Sequence, residues 1–203
     1  MRNCMTLDDE NAWIEGVTRC LSPNCDDRPS DVDIDLLVVH SVSLPPGEFG
    51  TPFVEALFCN RLDRNAHAYF ARIADFRVSA HLFIRRSGAL VQFVPFTRRA
   101  WHAGESAFRG RTQCNDFSVG IELEGADDVS YEDVQYVRLI DVARLLMSVW
   151  PGISPAQVVG HCDIAPGRKT DPGRGFDWAR VRAALGGAVG GPLQANSESD
   201  IKM

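Results

Sequence analysis

Side chains that could bind a metal and stabilise charge occur together in one short stretch, VVGHCDIAPGRKTDPGRG, residues 158–175. His161, Lys169 and Asp171 lie there among many glycines and prolines, a composition that predicts a loop and not a helix. A second histidine, His40, ends the apolar segment IDLLVVH at 34–40. Two histidines at strand ends and one loop aspartate match a catalytic zinc site, which needs three protein ligands and one open position. His40, His161 and Asp171 are therefore the candidate ligands of one zinc ion.

Two carboxylates in the segment DFSVGIELEG are candidates for a general base. The segment alternates apolar and other residues, which predicts a strand. Glu122 and Glu124 are two residues apart, so both side chains should point to the same face of that strand. The spacing alone does not separate them, and either carboxylate could accept the proton.

The elements that must position these residues alternate between strands and helices. The runs at 79–95 and 176–186 carry the clearest signals: Ser87-Gly88 divides the first into a hairpin, and Asp177 and Gly186 frame the second as a helix. We predict a mixed α/β (α+β) fold with a central mixed β-sheet flanked by helices. Further predicted elements are a helix-like N-terminal piece, strands at 34–40, 98–104, 116–125 and 156–161, and helices at 53–60 and 131–150, the last with a Ser130–Asp133 capping box.

Composition limits the possible functions. The chain has 203 residues, 45% of them hydrophobic, which suits one compact domain. A formal net charge of −6 argues against a nucleic-acid partner. The longest apolar runs are strand-sized, so no membrane span is expected, and the first residues do not resemble an export signal. We therefore expect a cytoplasmic protein, a monomer, with its six cysteines as reduced thiols.

Several long motifs resemble one known family in the right order: VVHSVSLPPGEFG, RVSAHLFIRRSGALVQFVPF, RAWHAG, CNDFSVGIELEG, GHCDIAPGRKTDPG and FDWARVR. They are similar to the cytoplasmic N-acetylmuramoyl-L-alanine amidases of Gram-negative bacteria that act on 1,6-anhydro-muropeptides. The resemblance implies a fold shared with phage-lysozyme-type amidases and peptidoglycan recognition proteins, holding one zinc. It runs over residues 22–185, which leaves 1–21 as an N-terminal extension and 186–203 as a disordered tail.

The resemblance also implies roles for individual residues. The zinc ligands of the family fall on His40, His161 and Asp171, the acid/base carboxylate on Glu122, and the lysine on the oxyanion side on Lys169. The implied substrate is a small muropeptide, cut between the lactyl group of N-acetylmuramic acid and L-alanine.

Several further residues are candidates for contacts with the peptide and the sugar of the substrate. Arg77, with Arg111 as a second candidate, would supply positive charge for the carboxylates of the peptide, and Trp101 would stack on the anhydro-sugar. His102 is a further candidate for the pocket lining. Related enzymes often carry Asn where this chain has Ser41, and a hydroxyl cannot offer the same donor and acceptor pair to the sugar.

Simpler interpretations exist for several of these residues. His67 and His81 fit structural hydrogen-bonded histidines, and Cys162 fits a core residue. Lys169 with Arg168 could be a solvated charged loop. Three other functions remain open: an amidase acting on intact peptidoglycan, which would need export; a binding-only peptidoglycan receptor; and a thiol hydrolase built on Cys162.

Overall fold

The computed structural model describes residues 5–10 and 12–186. Within them the strands and helices follow one another along the chain in a mixed order. The strands are β1 (Thr18–Arg19), β2 (Cys25–Asp26), β3 (Leu36–Val42), β4 (Leu82–Ile84), β5 (Leu90–Gln92), β6 (Arg99–Ala100), β7 (Ala107–Phe108), β8 (Arg111–Thr112), β9 (Ser118–Glu124) and β10 (Val158–Gly160). The helices are α1 (Phe53–Phe58), α2 (Asp133–Val149), the single turn α3 (His161–Ile164) and α4 (Trp178–Leu185).

Six strands form one mixed sheet in the order β1-β5-β4-β9-β3-β10. β4, β9, β3 and β10 run parallel to one another, and β4 and β5 form an antiparallel hairpin. Because the four neighbouring strands are parallel, their carboxyl ends meet at one edge of the sheet, where crossover loops leave room for a site. The pairs β2-β6 and β7-β8 form two small separate sheets.

Alternating side chains of the central strands divide between two layers of core. Leu37 and Val39 of β3 pack with Ile121 of β9 against the buried face of α2. Leu36 and Val38 point to the other face and pack near Ala103. Fixing both faces fixes the strand register, since a slip of one residue would exchange them. His40 shares the face of Leu36 and Val38, away from α2.

The structure confirms the mixed sheet flanked by helices and most of the predicted elements. The 79–95 hairpin is present with its turn at Gly88, which has φ of +80°. α4 begins after Asp177, whose side chain accepts a hydrogen bond from the backbone of Arg180, and ends at Gly186 with φ of +78°. In both cases a residue with special backbone or capping chemistry fixed the position of the element.

Four sequence predictions need correction. The N-terminal helix is wrong: among the described residues up to position 26 there are only short strands, and β1 pairs with β5 at the end of the sheet. The capping box of α2 uses Glu132 and Gln135, not Ser130 and Asp133. The strand predicted to end on His161 ends at Gly160, so the predicted loop opens with the single turn α3. The strand at 98–104 is only the two residues of β6.

Two further observations concern the predicted extent of the domain. The predicted disordered tail at 186–203 lies, apart from Gly186, outside the described residues. Within the described part of the chain, no helix combines the length and apolarity that crossing a membrane would require.

Candidate active site

Three side chains converge at the carboxyl edge of the sheet. The Nδ1 atoms of His40 and His161 are 2.9 Å apart, and the Oδ2 atom of Asp171 lies 3.0 Å from the second and 3.3 Å from the first. Two ligands of a tetrahedral zinc ion are separated by about 3.3 Å when each bond is about 2.0–2.1 Å. The three atoms therefore form a face of about the size that tetrahedral coordination requires.

Strand pairing and one loop bring these residues together. His40 belongs to β3, and β10 pairs with β3 in parallel so that Gly160 lies opposite Val39. His161, the next residue, consequently emerges beside His40. Asp171 returns to the same point because its carbonyl accepts a hydrogen bond from the backbone N–H of Cys162 at 3.0 Å. The glycine- and proline-rich loop thus closes on itself and places the carboxylate against the two imidazoles.

The protonation states of the three groups fit a cation. His161 Nε2 lies 3.1 Å from the carbonyl oxygen of Ala103, which can only accept, so the ring proton sits on Nε2 and Nδ1 carries a lone pair. Burial lowers the pKa of His40 to about 4, so its imidazole is neutral. Burial opposes ionisation of Asp171, yet the adjacent imidazoles hold its pKa below the usual range. Neutral imidazoles and an ionised carboxylate are the forms that bind a metal.

Glu122 lies beside this triad on the neighbouring strand. β9 and β3 are paired in parallel with Glu122 opposite His40. Among the described residues, its buried Oε2 atom has no hydrogen-bond partner. Burial first, and then the negative charge of Asp171, raise the pKa of Glu122 well above its usual value, while Lys169 opposes the shift. A carboxylate with an uncommitted oxygen and a raised pKa is suited to accept and return a proton.

Glu124 shares the face of β9 with Glu122, as predicted, but its carboxylate is engaged. One oxygen accepts a hydrogen bond from the backbone N–H of Gly50, and the other accepts one from Arg86 N at 2.9 Å. Arg85 forms an ion pair with it at 3.7 Å, and only 4% of the side chain is exposed. Glu124 therefore ties the β4–β5 turn and the loop after β3 to the sheet.

A cavity of about 560 Å³ opens over this group of residues. Its lining includes Ser41, Glu122, His161, Lys169 and Asp171, all predicted as site residues. The apolar part of the wall is formed by Leu44, Leu57, Phe58, Tyr69, Phe76 and Val78. The arrangement offers a metal-ligand triad, a candidate base and a cationic side chain to one bound molecule.

A smaller cavity of about 190 Å³ adjoins the first, and four residues line both cavities: Val78, His102, His161 and Lys169. Arg77 and Trp101 line this second cavity. Arg77 is exposed to solvent, and the indole N–H of Trp101 donates to Asp26 Oδ1 at 3.0 Å. The predicted sugar-stacking and charge-supplying residues thus lie side by side next to the triad.

Arg111 lies away from the two cavities, whereas His102 lines both of them, as the sequence analysis expected. Arg111 lies on β8, pairs with Asp35, stacks over the ring of Phe117 at 3.7 Å and lines neither of these two cavities. Both ring nitrogens of His102 are hydrogen-bonded, one to His40 and one to Ser118.

The residues given simpler interpretations are placed outside the triad. His81 is fully buried and accepts a hydrogen bond from Gly120 N at 2.9 Å, and burial lowers its pKa to about 3. His67 accepts from the backbone of Tyr69. Burial, followed by the charge of Asp163, raises the pKa of Cys162 to about 11, which keeps the thiol protonated and unreactive.

Ser118 and Asn115 support the site, and the sequence analysis did not predict either of them. The Asn115 side-chain oxygen accepts from the backbone N–H groups of His102 and Ala103, at 3.1 and 2.8 Å. A signal for Ser118 was present: it precedes Glu122 by four residues on a strand and must share its face. No comparable periodicity marks Asn115, which lies in a loop.

Comparisons with known proteins agree with this geometry. The sequence profile of N-acetylmuramoyl-L-alanine amidase matches residues 30–174. The 1,6-anhydro-N-acetylmuramyl-L-alanine amidase AmpD of Escherichia coli K12 is 57% identical over 87% of this chain and 96% of its own length. A crystal structure of a selenomethionine AmpD derivative superposes with a TM-score of 0.85 at 55% identity, covering 89% of this chain and 99% of that one.

A more distant solved structure carries a bound substrate. It is the E. coli amidase AmiD in complex with anhydro-N-acetylmuramic acid-L-Ala-D-gamma-Glu-L-Lys, with a TM-score of 0.54 at 26% identity. The similarity covers 89% of this chain and 65% of that one. Because the family profile matches residues 30–174 and the identity to AmpD extends over 87% of the chain, this protein belongs to the N-acetylmuramoyl-L-alanine amidase family.

Proposed function

We propose that the protein is a zinc-dependent amidase that hydrolyses the bond between the lactyl group of 1,6-anhydro-N-acetylmuramic acid and L-alanine. The observation that carries the proposal is the convergence of His40, His161 and Asp171 beside Glu122, over one cavity. The names of the relatives support the substrate: AmpD is a 1,6-anhydro-N-acetylmuramyl-L-alanine amidase, and AmiD was solved with an anhydro-muropeptide.

Zinc bound by the triad would polarise the amide carbonyl and lower the pKa of a water molecule to about 7. The residues of the chain transfer the protons and stabilise the charge. Glu122 accepts the proton of the attacking water on its uncommitted oxygen and returns a proton to the departing amine of L-alanine. Its raised pKa matches this double task, because a weaker acid holds the proton long enough to return it.

Lys169 supplies positive charge to the reacting carbonyl. It lines both cavities, and its charge makes a minor contribution that lowers the pKa values of Glu122 and His40. An ammonium group so placed stabilises the oxygen that becomes negative as the amide is attacked, a contribution of about 3 kcal/mol for one oxyanion donor.

The rest of the substrate would occupy the two cavities. Arg77 provides charge for the peptide carboxylates, Trp101 a ring for the sugar, and Ser41 a hydroxyl in the lining of the larger cavity. Arg111 is not retained as a substrate contact, because it is paired with Asp35 and lies outside both cavities.

The wider proposal is recycling of cell-wall fragments in the cytoplasm by a monomer. The amidase domain would occupy residues 22–185, preceded by an extension at 1–21 and followed by a disordered tail at 186–203. The raised pKa of Cys162 disfavours the thiol hydrolase, and a receptor that only binds would have no use for an uncommitted Glu122 carboxylate beside a metal triad.

Product analysis tests the proposal directly. Purified protein is incubated with anhydro-muropeptide and, separately, with intact sacculi, and the products are identified by mass spectrometry. We expect release of free peptide from the fragment, loss of activity with a chelator, recovery with zinc, and no effect of thiol alkylation. Efficient cleavage of sacculi with neglect of the fragment would contradict the substrate, and sensitivity to alkylation without sensitivity to chelation would contradict the metal chemistry.

A further inference from the structure

A chain of hydrogen bonds runs from the metal triad into the protein interior through His102. His40 Nε2 lies 2.9 Å from His102 Nδ1, and His102 Nε2 lies 3.1 Å from the hydroxyl oxygen of Ser118. The Ser118 hydroxyl in turn donates to the backbone carbonyl of Cys114. The chain therefore joins His40 to a group whose hydrogen-bonding behaviour is fixed.

The Cys114 carbonyl determines which atom donates in every hydrogen bond of this series. A carbonyl oxygen only accepts, so the single hydrogen of Ser118 points to Cys114 and its oxygen must accept from His102 Nε2–H. A neutral imidazole carries one N–H, so His102 Nδ1 accepts from His40 Nε2–H. The Nδ1 atom of His40 is left with a lone pair directed at His161 and Asp171.

We propose that His102 and Ser118 are positioning residues that hold His40 in the tautomer whose Nδ1 atom binds the metal. The proposal rests on the zinc site of the proposed function. Without the Ser118 oxygen, the other tautomer of His102 becomes accessible, with its proton on Nδ1. His40 would then have to accept at Nε2 and carry its own proton on Nδ1, where it blocks the metal.

The packing around His102 is built to keep the ring in place. A Cβ atom at Gly120 would lie 2.4 Å from Cγ of His102, so the ring occupies the space that any other residue at 120 would fill. Asn115 holds the backbone of residues 102 and 103. Since the Ala103 carbonyl accepts from His161 Nε2, this short segment sets the tautomers of both histidines, one through a ring and one through a carbonyl.

Zinc affinity, measured by competition with a chromogenic chelator, tests the proposal with a readout other than activity. Ser118→Ala and His102→Leu should weaken zinc binding about 10- to 100-fold, the usual effect of removing a partner of a metal-binding histidine. His102→Asn should recover most of the affinity, because its amide oxygen can accept near the Nδ1 position. Turnover of Ser118→Ala should return at saturating zinc.

Ser106→Ala is the matched control. Ser106 is also a buried serine whose hydroxyl donates to a carbonyl and accepts a backbone N–H, but these hydrogen bonds go to Gly104 and Cys114 and not to His102. Its loss should reduce thermal stability and leave the zinc dissociation constant within about twofold. Equal zinc affinity in Ser118→Ala and wild type, or an equal loss in Ser106→Ala, would overturn the proposal.

The same titrations separate this proposal from the proposed function. If the wild type binds zinc and His40→Ala abolishes binding, the metal site stands, and only the variants at 102 and 118 decide the positioning role. If His102→Leu does not fold, Ser118→Ala and His102→Asn still decide it. Wild-type protein that binds no zinc would contradict both.

A second and independent observation concerns two cysteines that meet at the end of α1. The Sγ atoms of Cys20 and Cys59 are 3.3 Å apart, and both residues are half-exposed free thiols. Arg61 Nη2 lies 3.7 Å from the sulfur of Cys20. Burial, followed by a hydrogen bond with Cys20, raises the pKa of Cys59 to about 11. The Arg61 guanidinium donates to the sulfur of Cys20, so we assign the first attack to Cys20.

We propose that this pair is a site of reversible oxidation by peroxides. The Cys20 thiolate attacks one peroxide oxygen and breaks the O–O bond, which gives a sulfenic acid and, after proton uptake, one water. The Cys59 sulfur then displaces the hydroxyl of the sulfenic acid, with loss of its proton, and a second water leaves. Two electrons pass from the two thiols to one peroxide. The disulfide would fasten the end of α1, whose residues Leu57 and Phe58 line the cavity, to the strand β1.

Intact-protein mass spectrometry after brief exposure to hydrogen peroxide tests this site. We expect a loss of two mass units, one Cys20–Cys59 cross-linked peptide on digestion, and reversal by dithiothreitol. Cys59→Ser should instead gain one oxygen at Cys20, whereas Cys25→Ser, a neighbouring half-buried thiol, should behave like wild type. Recovery of both thiols unmodified, or sulfinic acid at Cys20 without a cross-link in the wild type, would overturn the proposal.

Discussion

Exchanging Glu122 and Glu124 for glutamine, one at a time, should give opposite results. Glutamine keeps the size of the side chain but cannot accept a proton. General acid–base groups contribute about 10²- to 10⁴-fold, so Glu122→Gln should lower kcat by that factor, about 3–5 kcal/mol of transition-state stabilisation. Zinc content and KM should change little, because the carboxylate is not one of the three converging ligands.

The effects on stability should be the reverse of those on activity: Glu122→Gln should be more stable than wild type, and Glu124→Gln less stable. The pKa of Glu122 is raised in the folded protein, so above that pKa the ionised carboxylate destabilises the fold. Glu122→Gln removes this cost and should raise Tm at pH 8 more than at pH 5. Glu124→Gln presents an amide N–H₂ to backbone N–H groups and loses the Arg85 ion pair, at a cost of about 1–3 kcal/mol.

For a chain of 203 residues, that cost corresponds to a Tm decrease of about 2–12 °C. Steady-state kinetics on anhydro-muropeptide, zinc analysis and differential scanning calorimetry on both variants complete the test. The expected pattern is an inactive, stable Glu122→Gln and an active, less stable Glu124→Gln. An active Glu122→Gln beside an inactive Glu124→Gln would refute the assignment of the base, and loss of zinc in Glu122→Gln would make that residue a ligand.

Three further predictions follow from the site. Elemental analysis should find about one zinc per chain, and Asp171→Ala should lose it; a variant that keeps full zinc would remove Asp171 from the ligand set. Arg77→Ala should raise KM more at low than at high ionic strength because salt screens exposed charges, while Arg111→Ala should leave KM unchanged; equal losses at both salt levels would exclude the electrostatic role. A hydrogen bond from Arg99 is the main cause that lowers the pKa of Asp26 to about 2, so the stabilisation from this carboxylate is complete above its unfolded pKa and is lost as pH falls. The Tm difference between wild type and Asp26→Asn should therefore narrow below about pH 4, and a constant difference would contradict this.

Local chemistry explains which parts of the fold could be predicted. The apolar run before His40, the Ser87-Gly88 turn and the Asp177 cap each carry their own signal, and a strand, a hairpin and a helix form there. The strand was predicted to end on His40, which is wrong by two residues, because β3 continues to Val42. β1 has no such signal. It is a two-residue exposed strand that forms because β5 offers a partner, and the nearby segment is held by the side chain of Gln92, which bonds to Ile14 N and Ala12 O.

The candidate site divides in the same way. Residue type and spacing indicated His40, His161 and Asp171, because few groups bind zinc and strand ends are natural places for them. Sequence spacing could not choose between Glu122 and Glu124, since both lie on one face; only the tertiary partners of Glu124 distinguish them. The placement of Arg111 on the side of Asp35 likewise depends on contacts between distant parts of the chain.

The pairing of His40 with Glu122 across β3 and β9 separates the geometry needed for hydrolysis from the choice of substrate. Neighbouring strands lie about 4.8 Å apart, so the sheet fixes the spacing between His40, a candidate metal ligand, and Glu122, the candidate base. The walls of the cavity come instead from loops and from α1. Redesign of those walls can therefore change which muropeptides are accepted while the spacing on which hydrolysis depends stays the same.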